Sequence, residues 1–259
     1  MNKQEMIKEE IERRGARLEF QGKSKTIYDL PNGNILMVFG DGFTGADGVE
    51  DPGANHNMGT KEGLGKRNLA VSSYLFSKIS SNIKVPTQNV SVDLNLGMLE
   101  AKRAATFGKG LNFNVNGTNH IALGLEFIAR NKAWGSYLKR YPMQKQGDSL
   151  LDKHGQPFVE VSVKHDDAGD PFFSREYYIE NGIPAALFDK GVEYTQKIGE
   201  FLTKLFAEKG LELIDFKVEF GLDKNGELIL IDEISPGSLR ALRKGENTTK
   251  EEIHDALMS

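Results

Sequence analysis

The sequence predicts an α+β fold built on antiparallel sheets. Three observations carry that expectation. Strand patterns dominate the first half of the chain, and helices and strands mix afterwards. The two do not alternate regularly, which argues against a doubly wound parallel sheet. Two Asn-Gly pairs, Asn32-Gly33 and Asn225-Gly226, stand between apolar runs as hairpin turns. The 259 residues allow one large domain or two smaller lobes around a cleft.

Taken in order, residues 2–14 read as a short helix with Met6, Ile7 and Ile11 on one stripe. "LEFQGKSKTIYDLPNGNILMVFGDG" reads as a hairpin, its turn supplied by Asn32-Gly33 at positive φ. Residues 40–63 are rich in Gly, Asp and Asn and read as a long loop, of a length that is usually functional or mobile. "NLAVSSYLFSKIS" is a helix that buries Leu69, Val71, Leu75, Phe76 and Ile79. "MLEAKRA" and "IALGLEFIARN" are strands, separated by a polar Gly/Asn-rich segment at 107–119. "DKGVEYTQKIGEFLTKLFAEKG" is the clearest helix, with Ile198, Phe201, Leu202, Leu205 and Phe206 as its stripe and Gly210 at its end. A last helix in "TTKEEIHDALM" opens with a capping box from Thr249 to Glu252.

Composition narrows the function. Hydrophobic residues make up 39% and charged residues 27%, an ordinary globular balance. A net charge of −4 argues against a general nucleic-acid binder. With no cysteine, thiolate nucleophiles, disulfides and cysteine-ligated metals are excluded. The charged N-terminus has no apolar h-region, and no run of about 18 apolar residues exists. No membrane partner and a cytoplasmic location are therefore expected. The five histidines show no metal-ligand spacing.

One hairpin asks for a cation. In "LIDFKVEFGLDKNGELILIDEISPG", alternation puts Ile214, Phe216, Val218 and Phe220 on one face and Asp215, Lys217 and Glu219 on the other. A two-residue turn at Asn225-Gly226 pairs Lys224 with Glu227 and so sets Glu219 opposite Asp232. Their Cβ atoms would then be roughly 5 Å apart. A one-residue change in the loop would put Glu233 there instead. Paired carboxylates without thiolates suit Mg²⁺, which completes its shell with substrate phosphates. Lys217, two residues from Glu219 on the same face, can reach a phosphate. Lys23 and Lys25 in "QGKSKTIY" leave one strand face together and can converge on a polyphosphate. Arg130 ends an apolar strand, and Gly135 and Ser136 follow at a helix start, a second anion cradle.

In order along the chain, "GKSKTIY", "GADG", "GKRNLAVSSYLF", "LEFIARNKAWGS", "KHDDAGDP", "LIDFKVEFG" and "LIDEISPGSLR" resemble the SAICAR synthetase family over residues 22–240. The resemblance implies a two-lobed, ATP-grasp-like α+β fold around an ATP cleft. It implies residues 1–17 as a helical extension, 18–122 as a nucleotide-binding lobe and 123–259 as a substrate and metal lobe. It implies an ATP- and Mg²⁺-dependent ligase that activates a carboxylate as an acyl phosphate and joins it to an amine. In the family these are carboxyaminoimidazole ribotide and L-aspartate. By motif position, Lys23, Lys25 and Lys217 would hold ATP phosphates and Glu219 and Asp232 the metal. Lys217, Glu219 and Asp232 would form the catalytic group. Arg130, Ser136 and Arg240 would clamp the ribotide phosphate, with Asp47 in the substrate loop. The implied partners are small molecules, one of them phosphorylated, and a homo-oligomer stays open. The chain departs from the family at Gly237, where an acid is usual, at Leu69, where an asparagine is usual, and at the apparent insertion 107–119. A paralogous amide ligase with another substrate pair and a non-catalytic nucleotide-binding regulator are the alternatives. Retention of both metal carboxylates and three lysines argues against the regulator.

Overall fold

A computed structural model describes residues 2–46, 49–50 and 56–259. Its elements are α1 (Lys3–Arg13), β1 (Arg17–Gln21), β2 (Lys25–Asp29), β3 (Ile35–Phe39), β4 (Gly42–Ala46), β5 (Val49–Glu50), β6 (His56–Thr60) and α2 (Leu64–Ile83). They continue with β7 (Asn89–Asp93), β8 (Met98–Ala101), β9 (Ala105–Thr106), β10 (Asn112–Val115), β11 (Thr118–Ile121), β12 (Leu125–Arg130), α3 (Ser136–Arg140) and β13 (Phe158–Val163). The chain ends with α4 (Arg175–Glu180), α5 (Ala185–Glu208), β14 (Glu212–Leu222), β15 (Leu228–Ile231), β16 (Leu239–Arg243), β17 (Glu246–Asn247) and α6 (Lys250–Met258).

The expected α+β class with antiparallel sheets is what forms. A five-stranded sheet has the order β1-β2-β3-β8-β7. A larger sheet has the order β13-β12-β14-β16-β17, and β15 and β9 also pair with the long β14. The main core lies between this second sheet and α5. Ile198, Leu202 and Phe206 of α5 meet Phe127, Phe216, Val218 and Phe220 of the strands. Phe127 and Phe220 pack edge-to-face with centroids 5.2 Å apart, the orientation their quadrupoles favour. Helix α2 serves both sheets. Val71, Leu75, Phe76 and Ile79 join the main core, whereas Leu69 packs with Met37, Phe39 and Leu99 of the five-stranded sheet. The asparagine that the family usually carries at 69 is thus replaced by a fully buried core leucine.

Both Asn-Gly turns differ from expectation in the same way. Only Gly33 (φ 84°) and Gly226 (φ 77°) adopt positive φ, and their asparagines do not. Each loop therefore has three residues, ending in a left-handed glycine, instead of two. In the second hairpin, Asp223 Oδ1 accepts from the backbone N–H groups of both Asn225 and Glu227. That acceptor stabilises the wider loop. The register shifts accordingly, and Glu219 faces Ile231 instead of Asp232 or Glu233. The segment 40–63 is not a structureless loop, because β5, β4 and β6 form a small sheet of their own. The polar stretch 107–119 carries most of the β10–β11 hairpin. The capping boxes of α1 at Asn2 and of α6 at Thr249 are both made.

Candidate active site

The second sheet buries one face under α5 and presents the other to a cleft. Alternation places Glu126, Ile128 and Arg130 of β12 on the open face, with Glu160 and Ser162 of β13, Asp215, Lys217 and Glu219 of β14, and Arg240 of β16. Register aligns them in rows across the strands. Arg130 faces Asp215, which faces Arg240. Glu160 faces Ile128, which faces Lys217. Ser162 faces Glu126, which faces Glu219. The first and third rows lie four residues apart along β14, or about 13 Å.

The first row is an arginine cluster held by buried acids. Arg130 Nε donates to Glu160 Oε2 at 2.5 Å, its Nη1 to Asp215 Oδ2 at 3.1 Å and its Nη2 to Ser136 Oγ at 3.3 Å. Arg240 reaches the same Asp215 oxygen at 2.8 Å, and Arg140 reaches Glu160 at 2.6 Å. Gly135 is required beside them. It sits at φ 53°, and a Cβ there would lie 2.8 Å from the Arg240 guanidinium. Helix α3 spans only five residues, so the charge comes from the guanidinium groups and not from a helix dipole, contrary to the helix-start expectation. These groups line a cavity of about 500 Å³ with Lys139, Lys217 and Ser162. Arg140 Nε and Ser162 Oγ are buried there without a protein partner. Orphaned polar atoms in a polar cavity ask for a ligand.

The third row places two carboxylates opposite each other, Glu126 and Glu219. Such a pair is repulsive unless cations intervene. Lys217 Nζ donates to Glu126 at 2.6 Å and lies 3.4 Å from Glu219, and Lys164 donates to Glu219 at 2.6 Å. Burial pushes the Glu126 carboxyl up, with Lys217 pulling the other way. Burial works against the charged form of Lys217. Glu126, Glu219 and Asp232 more than offset it, and the ammonium ends well above its usual range.

Asp232 lies just beyond β15 at φ 64°, a costly conformation for a residue with a side chain. The side-chain amide of Gln88 donates to its carbonyl at 2.9 Å and pins it. From there Asp232 bonds Lys25 at 2.5 Å. Burial raises its pKa, but Lys25, Lys164 and Lys217 together bring it far below the usual carboxylate value. Asp232 and Glu219 thus share the field of the same lysines although they are not ladder partners. Among the described residues, no three acids or histidines cage a metal by themselves. Mg²⁺ does not need such a cage, since it takes one or two carboxylates and fills its shell with water and phosphate. Glu219 and Asp232, now answered only by ammonium groups, fit that donor set.

The structure therefore brings Lys25, Lys217, Glu219 and Asp232 together at one end of the cleft and Arg130, Ser136 and Arg240 at the other. Lys23 stands apart from Lys25 and pairs with Asp166 at 2.5 Å. Asp47 lies outside the described residues. Sequence reasoning missed Glu126, Arg140, Glu160, Lys164 and Asp215. Lys164 was within reach, because it opens the "KHDDAGDP" motif. Asp215 already shared a strand face with Lys217. Glu126 and Glu160 had no local signal, since only the register of β12 and β13 brings them in.

Comparisons with known proteins give the family. Residues 18–256 match the SAICAR synthetase family profile. A phosphoribosylaminoimidazole-succinocarboxamide synthase from Clostridium tetani is 35% identical over 229 residues, covering 88% of this chain and 92% of its own. One from Methanocaldococcus jannaschii is 32% identical over 222 residues, covering 85% and 79%. A structure of SAICAR synthetase (Type-2) in complex with ADP superposes with a TM-score of 0.75 at 26% identity, covering 92% of this chain and 96% of that one. Fold and relatives define an ATP-dependent carbon–nitrogen ligase. The chain belongs to the SAICAR synthetase family.

Proposed function

We propose that this ligase joins the carboxylate of carboxyaminoimidazole ribotide to the amine of L-aspartate, using ATP and Mg²⁺, as a cytoplasmic enzyme of purine biosynthesis. One observation supports this most. A single sheet face carries an arginine cluster and, about 13 Å along the strands, a lysine–carboxylate cluster. That separation suits a ribotide with its phosphate at one end and its reacting carboxylate at the other. Arg130, Arg140, Arg240 and Ser136 hold the phosphate, helped by the unpartnered Nε of Arg140. Lys217 and Lys25 face the polyphosphate, and Lys23 closes over it once it leaves Asp166.

Glu219 and Asp232 would hold Mg²⁺, which when bound neutralises charge on the phosphates. The substrate carboxylate oxygen attacks the γ-phosphorus and ADP leaves. The aspartate amine then attacks the acyl carbon, loses a proton, and phosphate departs. The chain's residues position and neutralise, and none is needed as a nucleophile. Asp47 belongs to this reading as a residue of the substrate loop. The test is purified protein with ATP, Mg²⁺, ribotide and aspartate, following ADP release and product mass together. ADP release with other carboxylate–amine pairs and no product from the ribotide would overturn the substrate assignment.

A further inference from the structure

We propose that Glu233 is a positioning residue, the lasting partner that aims Lys25, and that Asp232 shares Lys25 only until a metal–nucleotide complex draws it away. The proposal rests on the nucleotide reading above. Lys25 Nζ bonds both acids, Asp232 Oδ1 at 2.5 Å and Glu233 Oε1 at 2.8 Å. The two acids are adjacent in sequence but differently placed. The Asp232 side chain is 24% exposed, whereas that of Glu233 is 9% exposed. Asp232 also lies in the field of Lys164 and Lys217, the lysines that hold Glu219. It therefore has a second place to go, beside Glu219.

Glu233 does not. Its backbone is fixed on both sides, by Gln88 on the carbonyl of Asp232 and by the Ser72 hydroxyl on the N–H of Ile234. Its second oxygen, Oε2, is buried with no hydrogen-bond partner. A buried carboxylate with an empty acceptor site is costly. Its retention here is explained if its charge is used to hold an ammonium group that must itself stay extended. Lys25 has three N–H donors, two of which now go to carboxylates. When Asp232 turns to the metal, Glu233 keeps one donor, and the others face the phosphates from a fixed origin. Without Glu233 the ammonium would follow Asp232 or swing on its four-carbon stem.

The experiment separates this role from metal ligation. Calorimetry would measure ADP binding first with chelator present and then across a Mg²⁺ titration, on the full chain and its variants. For Glu233→Gln the expected result is metal-free ADP binding weakened on the order of tenfold, with the Mg²⁺ midpoint unchanged. For Asp232→Asn the expectation is reversed. Metal-free ADP binds as well or better, because Lys25 loses a competing carboxylate, and the Mg²⁺ dependence is lost or shifted upward. In a Lys25→Ala background, Glu233→Gln should have no further effect on metal-free binding, the signature of a coupled pair. Glu233→Asp keeps the charge, guards against a folding defect, and should recover part of the binding. A shifted Mg²⁺ midpoint with normal metal-free binding in Glu233→Gln would make Glu233 a metal ligand and overturn the proposal. Additive effects in the Lys25→Ala background would overturn it too. No ADP binding by the unmodified protein, with or without Mg²⁺, would remove the nucleotide reading and this proposal with it. Normal ADP binding in both the unmodified protein and Glu233→Gln would remove this proposal alone.

Discussion

The two ends of the open sheet face are built in opposite ways. The arginine end belongs to one sheet and its flank. Arg130, Glu160, Asp215 and Arg240 are successive ladder neighbours or bonded to one, and the side chains of Arg130, Glu160 and Asp215 are 2%, 5% and 7% exposed. The lysine–carboxylate end is assembled from two sheets. Lys25 comes from β2, Gln88 precedes β7, Glu219 lies in β14, and Asp232 follows β15. Hydrogen-bonded ladders fix the first end before any ligand arrives. The second is a junction, where the Thr87–Leu230 bridge and the Gln88 side chain tie one sheet to the other beside Asp232. The arginine cluster is thus a rigid unit within one sheet, and the lysine–carboxylate cluster a junction between two.

The largest loss of activity is expected at the junction. Glu219→Gln and Asp232→Asn should each lower kcat by about 10²–10³-fold, the usual loss when one preorganised charge at a transition state is removed. The KM for the phosphorylated substrate should stay near its original value. Steady-state kinetics at varied Mg²⁺ check this. A matching rise in that KM would mean the two ends are not independent.

At the rigid end the largest expected effect is on stability. Arg130→Ala leaves Glu160 and Asp215 buried with less cationic support. Breaking a buried pair from one side costs about 3–5 kcal/mol, roughly 6–20 °C in Tm for a chain of this size. A thermal melt within 2 °C of the original protein, taking roughly 1 kcal/mol as the threshold, would show that this row is not a structural unit. Arg240→Ala, more exposed, isolates binding. Loss of one charge-assisted contact costs about 1.5–3 kcal/mol, so the KM for the phosphorylated substrate should rise roughly tenfold to a hundredfold. The KM for ATP should hold still.

Legibility in the sequence follows the same division. The alternation of β14 from Asp215 to Phe220 and both helix stripes are local patterns, and they form as read, whereas at the bulge beside Ile214 it is Leu213 that joins the core. The arginine positions, Lys25 and Lys217 come from motifs and also fall together, whereas Lys23 stands apart on Asp166. What failed was register. Asn225-Gly226 alone predicts a two-residue turn, but Asp223, one position before the loop, accepts two N–H groups and widens it. The wider loop shifts the register by one residue, so Ile231 and not Asp232 faces Glu219. The carboxylate that does face Glu219 is Glu126, over 90 residues earlier in the chain, where no local pattern points to it. The glycines and asparagines of segment 40–63 give a loop pattern that hides three short strands.

Acid offers a gentler probe of the junction. Asp232 has a carboxyl held below its unfolded value near 4. Its contribution to stability is present above that value and is lost as pH falls through the lowered folded value. The Tm gap between the unmodified protein and Asp232→Asn should therefore narrow as pH falls below about 4. Melts at a series of pH values check the sign. A gap that widens on acidification would mean that Asp232 is not held ionised by the lysines.

The smallest expected effect tests the substitution at Gly237, between the two ends. The family usually carries an acid there, and an acid can accept from an amino group on the ribotide. A Cβ added at Gly237 would meet Ser235 Oγ at 3.3 Å and the Asn68 amide nitrogen at 3.4 Å, and no positive φ opposes it. Aspartate therefore fits with a slight shift of the Ser235 hydroxyl, which now accepts from the Gly237 N–H. Asn68 Oδ1 is itself buried and unpartnered beside this position. A rotated Asn68 amide can present that oxygen to the donor that the missing acid leaves behind. If it does, Gly237→Asp adds little, and the ribotide KM should fall by less than about threefold, under 1 kcal/mol. The informative variant is then Asn68→Leu, which should raise the ribotide KM on the order of tenfold by leaving the donor unpaired. Gly237→Asp in that background should recover most of the loss. A tenfold gain from Gly237→Asp in the otherwise unmodified protein would show instead that Asn68 does not substitute for the acid, and that the ribotide amino group is poorly met in this chain.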